Sequence, residues 1–327
     1  MDKMNSREIV RRTLEYDYPE RVARSCGESD LISSRYLPSA RTVDWHEVGG
    51  GRWERIDEWG NKWARLNPTS RGEIIKGVLS EIKDVDNYEF PDYSRIEVFE
   101  PAKKARSKHT DKWLIGELPG FTFGVAWRLL KLDCYLMDLL LSPEVIHRLH
   151  DRIDDLLIRM IQNYASVGVD SVMFYEDWGT QDKLMINPKL WRSEFFPRFQ
   201  KLCNVAHECR LKVFMHSCGQ VGIIVPDLIQ AGIDLLQFDQ PELHGIDTLA
   251  AYQQRFQITY WCPVDIQTIL QTRNENLIRA KAREMLDKLW KGRGGFIAGW
   301  YDDEVSIGLS PEWQTYASEE FIQHGLQ

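Results

Sequence analysis

A histidine and a cysteine stand two positions apart at the end of a short apolar run, Lys212-Val-Phe-Met-His-Ser-Cys-Gly219. Val213, Phe214 and Met215 read as a buried parallel strand. Side chains two apart on a strand share a face, so His216 and Cys218 aim into one space if the extended geometry lasts. Imidazole and thiolate together suit zinc. Gly219 then lets the backbone turn away at little steric cost. The plainer alternative is a buried histidine beside a small apolar cysteine. Position favours the ligand reading, because α/β folds place their chemistry at the carboxyl ends of strands.

A second strand, Val172-Met-Phe-Tyr175, ends in Glu176-Asp177-Trp178-Gly179. Adjacent acids are costly to bury unpaired, so Glu176 and Asp177 face a metal, a base or a polar substrate unless they are solvated loop charges.

The elements that must position these groups emerge from Trp113 onward. Strands are predicted at Trp113–Gly116, Val172–Tyr175, the His216 segment, Leu235–Phe238, Ile258–Trp261 and Gly295–Ala298. Helical stretches alternate with them: an apolar one within Gly120–Leu141, a long one opened by Ser142-Pro143, one from Pro188 to about Glu208, and others near 221–230, 249–255 and 275–290. Ser310-Pro311 opens the last. Such alternation predicts a parallel sheet closed into a TIM-type (β/α)8 barrel. Residues 1–110 form an N-terminal extension of one barrel domain, 1–327. Asn5 caps a first helix with the apolar stripe Ile9, Val10 and Leu14, and Arg52 to Leu66 reads as a hairpin turning near Gly60-Asn61. The rest of 20–110 is hard to read, beyond a first strand end between Arg24 and Asp30.

Composition bounds the function. The 327 residues are 43% hydrophobic and 28% charged, with a net charge of −8 and no basic cluster, which argues against nucleic-acid binding. No apolar run is long enough for a membrane helix. Six scattered cysteines and the absence of a signal peptide imply reduced thiols in the cytoplasm. Cys203 and Cys209, six apart, read as packing residues. Twelve tryptophans, several in loop-like segments, suggest aromatic walls around a ligand.

Asn5-Ser-Arg-Glu8 and its helix, Asp57-Glu-Trp-Gly60, Gly120-Phe-Thr-Phe-Gly124, Pro188, His216-Ser-Cys-Gly219 and Val264-Asp265 together resemble the uroporphyrinogen decarboxylase superfamily. The resemblance spans nearly the whole chain and is strongest over 113–300. It implies a TIM-type barrel with its cleft at the strands' carboxyl ends. The porphyrinogen decarboxylases carry an arginine-rich motif near the N-terminus, and here that region reads Arg24-Ser-Cys-Gly-Glu28. The corrinoid-linked methyltransferases carry His-x-Cys and a later cysteine as zinc ligands, and His216 and Cys218 match the first pair. Where the coenzyme M methyltransferases place the third ligand, this chain has Trp300-Tyr301-Asp302. Cys262, Glu176 and Asp177 are the remaining candidates, giving a His/Cys/Cys or Glu/His/Cys set.

The resemblance therefore implies zinc-dependent methyl transfer between a small methylated substrate or thiol and a corrinoid (cobalamin) on a partner protein. Glu176 or Asp177 would ligate the ion or accept a proton. Trp178, Trp261 and Trp300, with Gln240 and Tyr301 on the same rim, would bind substrate or serve as rim packing. Decarboxylation of a tetrapyrrole or polyacid, drawing on Arg24 and Arg52, is the competing chemistry, and a non-catalytic ligand-binding barrel is the third reading. A homodimer is common in the superfamily, and O-demethylation falls within the methyltransferase branch.

Overall fold

The computed structural model describes residues 3–327. The first helix, Ser6–Glu15, starts where the sequence places it, with the Asn5 side chain accepting the Glu8 amide at 2.9 Å. That bond satisfies an amide which the first helical turn leaves free. The helix buries Ile9, Val10 and Leu14 against Ala23, Leu31 and Trp113, inside one end of a cylinder of strands. Full burial of such chains stabilises by roughly 1.5–3 kcal/mol each, so the helix acts as a fixed floor to the cylinder.

The strands follow in chain order. β1 (Ala23–Arg24) and β2 (Leu31–Arg35) come first. β3 (Val43–Gly49), β4 (Arg52–Ile56), β5 (Lys62–Arg65) and β6 (Glu73–Lys76) come next. β7 (Trp113–Glu117), β8 (Ser171–Tyr175) and β9 (Lys212–His216) precede β10 (Leu235–Gln237), β11 (Thr259–Cys262) and β12 (Phe296–Ala298). Eight form one parallel sheet in the order β1-β12-β11-β10-β9-β8-β7-β2. Its edge strands are neighbours in the chain, and they meet where the Asp30 amide donates to the Arg24 carbonyl at 2.9 Å. The sheet thus curls into a TIM-type barrel. Six of its strands belong to the regular alternation; β1, of two residues, and β2 have no helix between them.

β3 to β6 pair antiparallel in sequence order. The hairpin predicted over Arg52–Leu66 is β4-β5, and its turn is organised by Asp57. That carboxylate accepts the amides of Trp59 and Asn61, the Asn61 side chain and the Trp63 indole, at 2.8–3.0 Å. On this sheet Arg55 lies over Trp45 (5.1 Å) and Trp63 (4.4 Å), while Arg65 lies over Trp45 (4.2 Å) and Trp53 (5.4 Å). Three tryptophans are thereby engaged in cation–π stacking within the sheet.

Three helical expectations are corrected. The apolar stretch within Gly120–Leu141 is two helices, Thr122–Leu130 and Leu132–Leu141, broken at Lys131, whose φ of +72° no helix continues. The stretch from Pro188 to Glu208 is also two, Pro188–Glu194 and Phe196–Glu208, because Pro197 lacks the amide that would carry the ladder across. The long helix Pro143–Ser166 opens at its proline, but the Ser142 side chain makes no capping bond.

Register sets the interior of the barrel. Met173, Phe214 and Leu235 are cross-strand partners in an apolar layer. Two residues further along, Tyr175, His216, Gln237 and Trp261 form the next row. The chemistry-bearing side chains therefore sit one layer above an apolar core, at the carboxyl ends of the strands.

Candidate functional site

His216 is the last residue of β9, and period-two alternation points it inward with Phe214, while Val213 and Met215 pack outward. Its Nδ1 faces the Gln237 side-chain oxygen on β10. The Gln237 amide in turn donates to Asp239 Oδ1 at 2.7 Å. A hydrogen on Nδ1 leaves Nε2 as the free lone pair. Nε2 lies 3.3 Å from Cys218 Sγ and 3.6 Å from Asp177 Oδ1. Asp177 Oδ1 also accepts the Cys218 amide at 2.8 Å, which ties the end of β8 to the end of β9. Donor atoms of Asp177, His216 and Cys218 all lie within 4.8 Å of one another. Nitrogen, sulfur and oxygen at that spacing suit a divalent cation of zinc's type, with a coordination position left for substrate.

The loop carrying Cys218 is held by a close backbone crossing. Gly219 has φ +77°, and a Cβ there would lie 2.3 Å from the Gly179 carbonyl oxygen. Burial pushes the Cys218 thiol up to about 12, and the charges of Asp177 and Asp239 push the same way. Bare, the sulfur keeps its proton; a cation on it would reverse that balance.

Alternation separates the residues that follow β8. Asp177 turns in toward His216, whereas Glu176 turns to the helix Thr122–Leu130 and accepts the Gly124 amide at 2.6 Å. A Cβ at Gly124 would lie 2.9 Å from Glu176 Oε1, so the glycine of Gly120-Phe-Thr-Phe-Gly124 is what admits the carboxylate. Burial raises Glu176 to about 8, against the lowering pull of the Gly124 and Phe121 amides. Among the described residues Oε2 has no hydrogen-bond partner.

A cavity of about 590 Å³ opens at this rim. It is bordered by Glu176 and the three clustered residues, and by four residues expected to contact substrate: Gln240, Trp261, Trp300 and Tyr301. Ser25 Oγ fixes two of the walls, accepting the Trp261 indole at 2.9 Å and the Trp300 amide at 3.1 Å. Buried Gln314 holds Tyr301 through two 2.8 Å bonds to its backbone.

Two expected site residues lie elsewhere. Cys262, weighed as a metal ligand, follows inward-facing Trp261 and so points outward; it is completely buried in the layer between barrel and helices. Trp178, weighed as a substrate wall, is also completely buried, stacked on Phe123 at 4.0 Å and packed edge-on against Trp191 and Phe195. The arginines invoked for decarboxylation are displaced as well. Arg52 sits on the antiparallel sheet 3.0 Å from Glu54, and neither it nor Arg24 borders the cavity. Arg71 and Arg128 do.

Gln237, Asp239, Tyr175 and Arg71 are the site residues that the sequence reading missed. Gln237 and Asp239 carried a usable signal, since they repeat at the end of β10 the two-residue polar spacing of His216 and Cys218. Arg71 lies on the loop between β5 and β6, where no periodicity marks it.

No curated protein matches the chain. Among solved structures it is similar to a methyltransferase from Methanosarcina mazei, at 14% identity and a TM-score of 0.62, covering 81% of this chain and 76% of that one. It also aligns with a B12-independent methionine synthase from Shewanella sp. W3-18-1, at 13% identity and a TM-score of 0.46, over 97% and 85% of the two chains. Both are named as enzymes, and the first shares the barrel fold. Among the described residues no helix is long and apolar enough to cross a membrane. The family described as uroporphyrinogen decarboxylase (URO-D) matches residues 68–301. With that match over more than two thirds of its length, the chain belongs to the uroporphyrinogen decarboxylase family.

Proposed function

We propose that this protein is a methyltransferase whose metal centre, zinc by the chemistry of its donors, is held by Asp177, His216 and Cys218. The methyl group passes between a small methylated substrate or thiol and a corrinoid carried by a partner protein. The observation that carries this reading is the convergence of one nitrogen, one sulfur and one oxygen ligand atom within 4.8 Å at the mouth of the barrel. A bound divalent ion would supply Lewis acidity, lowering a thiol's pKa or polarising the heteroatom that bears the methyl group.

The remaining work falls to the chain. Gln237 keeps the proton on Nδ1 of His216, and Asp239 orients Gln237. Asp177 bonds the Cys218 amide, so two ligands move as one unit. Glu176, raised to about 8, holds a proton near neutral pH at the cavity edge and can exchange it with a heteroatom that gains or loses a methyl group. Trp261 and Trp300, fixed by Ser25, narrow the approach to that atom and displace water from it. The transfer is a displacement at carbon: the acceptor's lone pair forms the new bond while the bond to the donor atom breaks, and the donor atom departs with that bonding pair.

Acid-rich walls count against decarboxylation of a polyacid, which needs cations around several carboxylates. Five acids and two arginines border the cavity, and Arg71 is already 3.2 Å from Asp303. Elemental analysis of unchelated protein tests the reading. We expect about one equivalent of zinc, from the one-site donor set, lost in His216→Ala and Cys218→Ala and reduced in Asp177→Ala. Metal-free protein that also fails to take up zinc or cobalt would refute it.

A further inference from the structure

The walls of the cavity remain acidic after the metal centre has been accounted for. Asp177 and the Cys218 thiolate together balance a divalent ion. Asp303 is paired with Arg71 at 3.2 Å, and Glu176 is turned to the Gly124 amide. Arg128, the other cation, is spent on the Pro119 carbonyl at 2.6 Å. Asp239 and Asp302 are left, and among the described residues neither has an ion-pair partner. Both border the cavity, and Asp239 accepts the Gln237 amide there at 2.7 Å. Burial and the charges of Glu304 and Asp239 push Asp302 up, as expected of a carboxylate facing other acids without a counter-charge. Aromatic faces accompany the acids, from Tyr175, Trp261, Trp300 and Tyr301. Independently, Glu176, only 2% exposed, borders the same space, and among the described residues its Oε2 has no hydrogen-bond partner.

We infer that the substrate carries an ammonium group on a tail remote from its reacting sulfur or oxygen, and that Asp239 and Asp302, between aromatic walls, receive that group. This rests on the methyl-transfer reading for the reacting end but concerns only the tail. An ammonium at the reacting atom itself would be the wrong chemistry: it has no lone pair for a Lewis acid, and acids stabilising its charge would oppose loss of the methyl group. At the tail, carboxylates and ring faces bind the cation equally before and after transfer, which gives recognition without slowing the reaction. An anionic tail would face the same two carboxylates and be repelled.

Three two-carbon thiols of equal reach, 2-aminoethanethiol, 2-mercaptoethanol and 2-mercaptoethanesulfonate, separate the tail's charge from its length. Calorimetric titration of the full-length protein as purified is expected to rank them cation, neutral, anion. The cation should bind at least about tenfold tighter than the anion at low salt. In the Asp239→Asn/Asp302→Asn double variant the ratio should fall to about twofold or less, as the attraction disappears. Equal binding, preference for the sulfonate, or a cation preference that survives both replacements overturns the inference. Metal content measured on the same preparation reports separately on the catalytic reading. Protein without zinc that still prefers the ammonium tail keeps this inference and loses the metal centre, and protein with zinc but no charge preference does the reverse.

Discussion

His216 and Gln237 are direct cross-strand partners in the parallel register of β9 and β10, and the imidazole Nδ1 faces the carboxamide oxygen. A carboxamide can present its oxygen to Nδ1 only while its nitrogen points away, and Asp239 enforces that choice by accepting the nitrogen's hydrogen at 2.7 Å. The pair therefore decides which imidazole nitrogen meets Cys218 and Asp177. Replacing Gln237 by leucine removes the acceptor and frees the ring to flip, so zinc affinity measured by chelator competition should fall roughly 10- to 100-fold. Gln237→Glu, which still accepts from Nδ1, should lose far less. Equal affinity in the leucine variant would show that the ring is fixed by other means.

Cys218 and Cys262 both end inner-sheet strands or follow them closely, yet only the first faces the cavity. Cys262→Ala should leave zinc stoichiometry unchanged and cost about 1 kcal/mol or somewhat more, the scale of a small buried deletion. Cys218→Ala should abolish stable zinc binding while the unfolding midpoint of metal-free protein barely moves. Loss of zinc in the Cys262 variant would move the third ligand back to that sulfur.

How much of this could be read in advance depends on where alternation holds. From β7 onward each strand is a buried run between helices, so the barrel, the inward aim of His216 and its meeting with Cys218 follow from a period of two. The same rule separates Asp177 from Glu176 and Trp261 from Cys262, but only once the strand ends are known to one residue, since a slip of one reverses every assignment. Residues 20–110 resisted for a different reason. β1 has only two residues, β2 shows no clear alternation of burial, and β3 to β6 are held by turn chemistry at Asp57 and by arginine–tryptophan stacking more than by a hydrophobic face. Arg71 reaches the cavity from that region through a loop, and its partner Asp303 lies 232 positions away in the chain.

Gly219→Ala tests the backbone crossing that places Cys218. The added methyl would need a φ of +77° and would sit 2.3 Å from the Gly179 carbonyl, so one of the two loops must shift. Bending at this crossing carries the sulfur away from His216. Zinc affinity should drop by at least about tenfold, with a stability loss of roughly 1–3 kcal/mol in chemical unfolding. Unimpaired zinc binding would mean that the loop accommodates a side chain without moving Cys218.

A thiol pushed up to about 12 must shed its proton to hold a cation, so metal loading and pH are linked. Titrating zinc into stripped protein at pH 7.5, in buffers of different ionisation enthalpy, should release about one proton per ion from this sulfur. Cys218→Ser should release about one proton fewer per zinc bound, at much weaker affinity. Proton-neutral binding by the native protein would indicate that Cys218 is already a thiolate or is not a ligand.

Glu176 gives the protein a pH dependence opposite to that of most carboxylates. Its folded-state pKa, about 8, lies above the ordinary value of 4.5, so the folded state holds this proton more tightly than the unfolded chain does. Stability from this group is therefore full below about pH 4.5, declines as pH rises through the interval, and has gone above about pH 8. Each unit of such a shift corresponds to about 1.4 kcal/mol, with lone-residue burial an upper limit because water or a nearby cation can relieve it. Glutamine at 176 keeps the oxygen that accepts from Gly124 and never ionises. Urea unfolding of chelator-treated native protein and Glu176→Gln should therefore converge near pH 5, and the variant should become progressively the more stable of the two up to about pH 8–9. A stability difference that stays constant from pH 5 to 9 would mean that the carboxylate ionises normally, and Glu176 would then not hold a proton at neutral pH for the transfer.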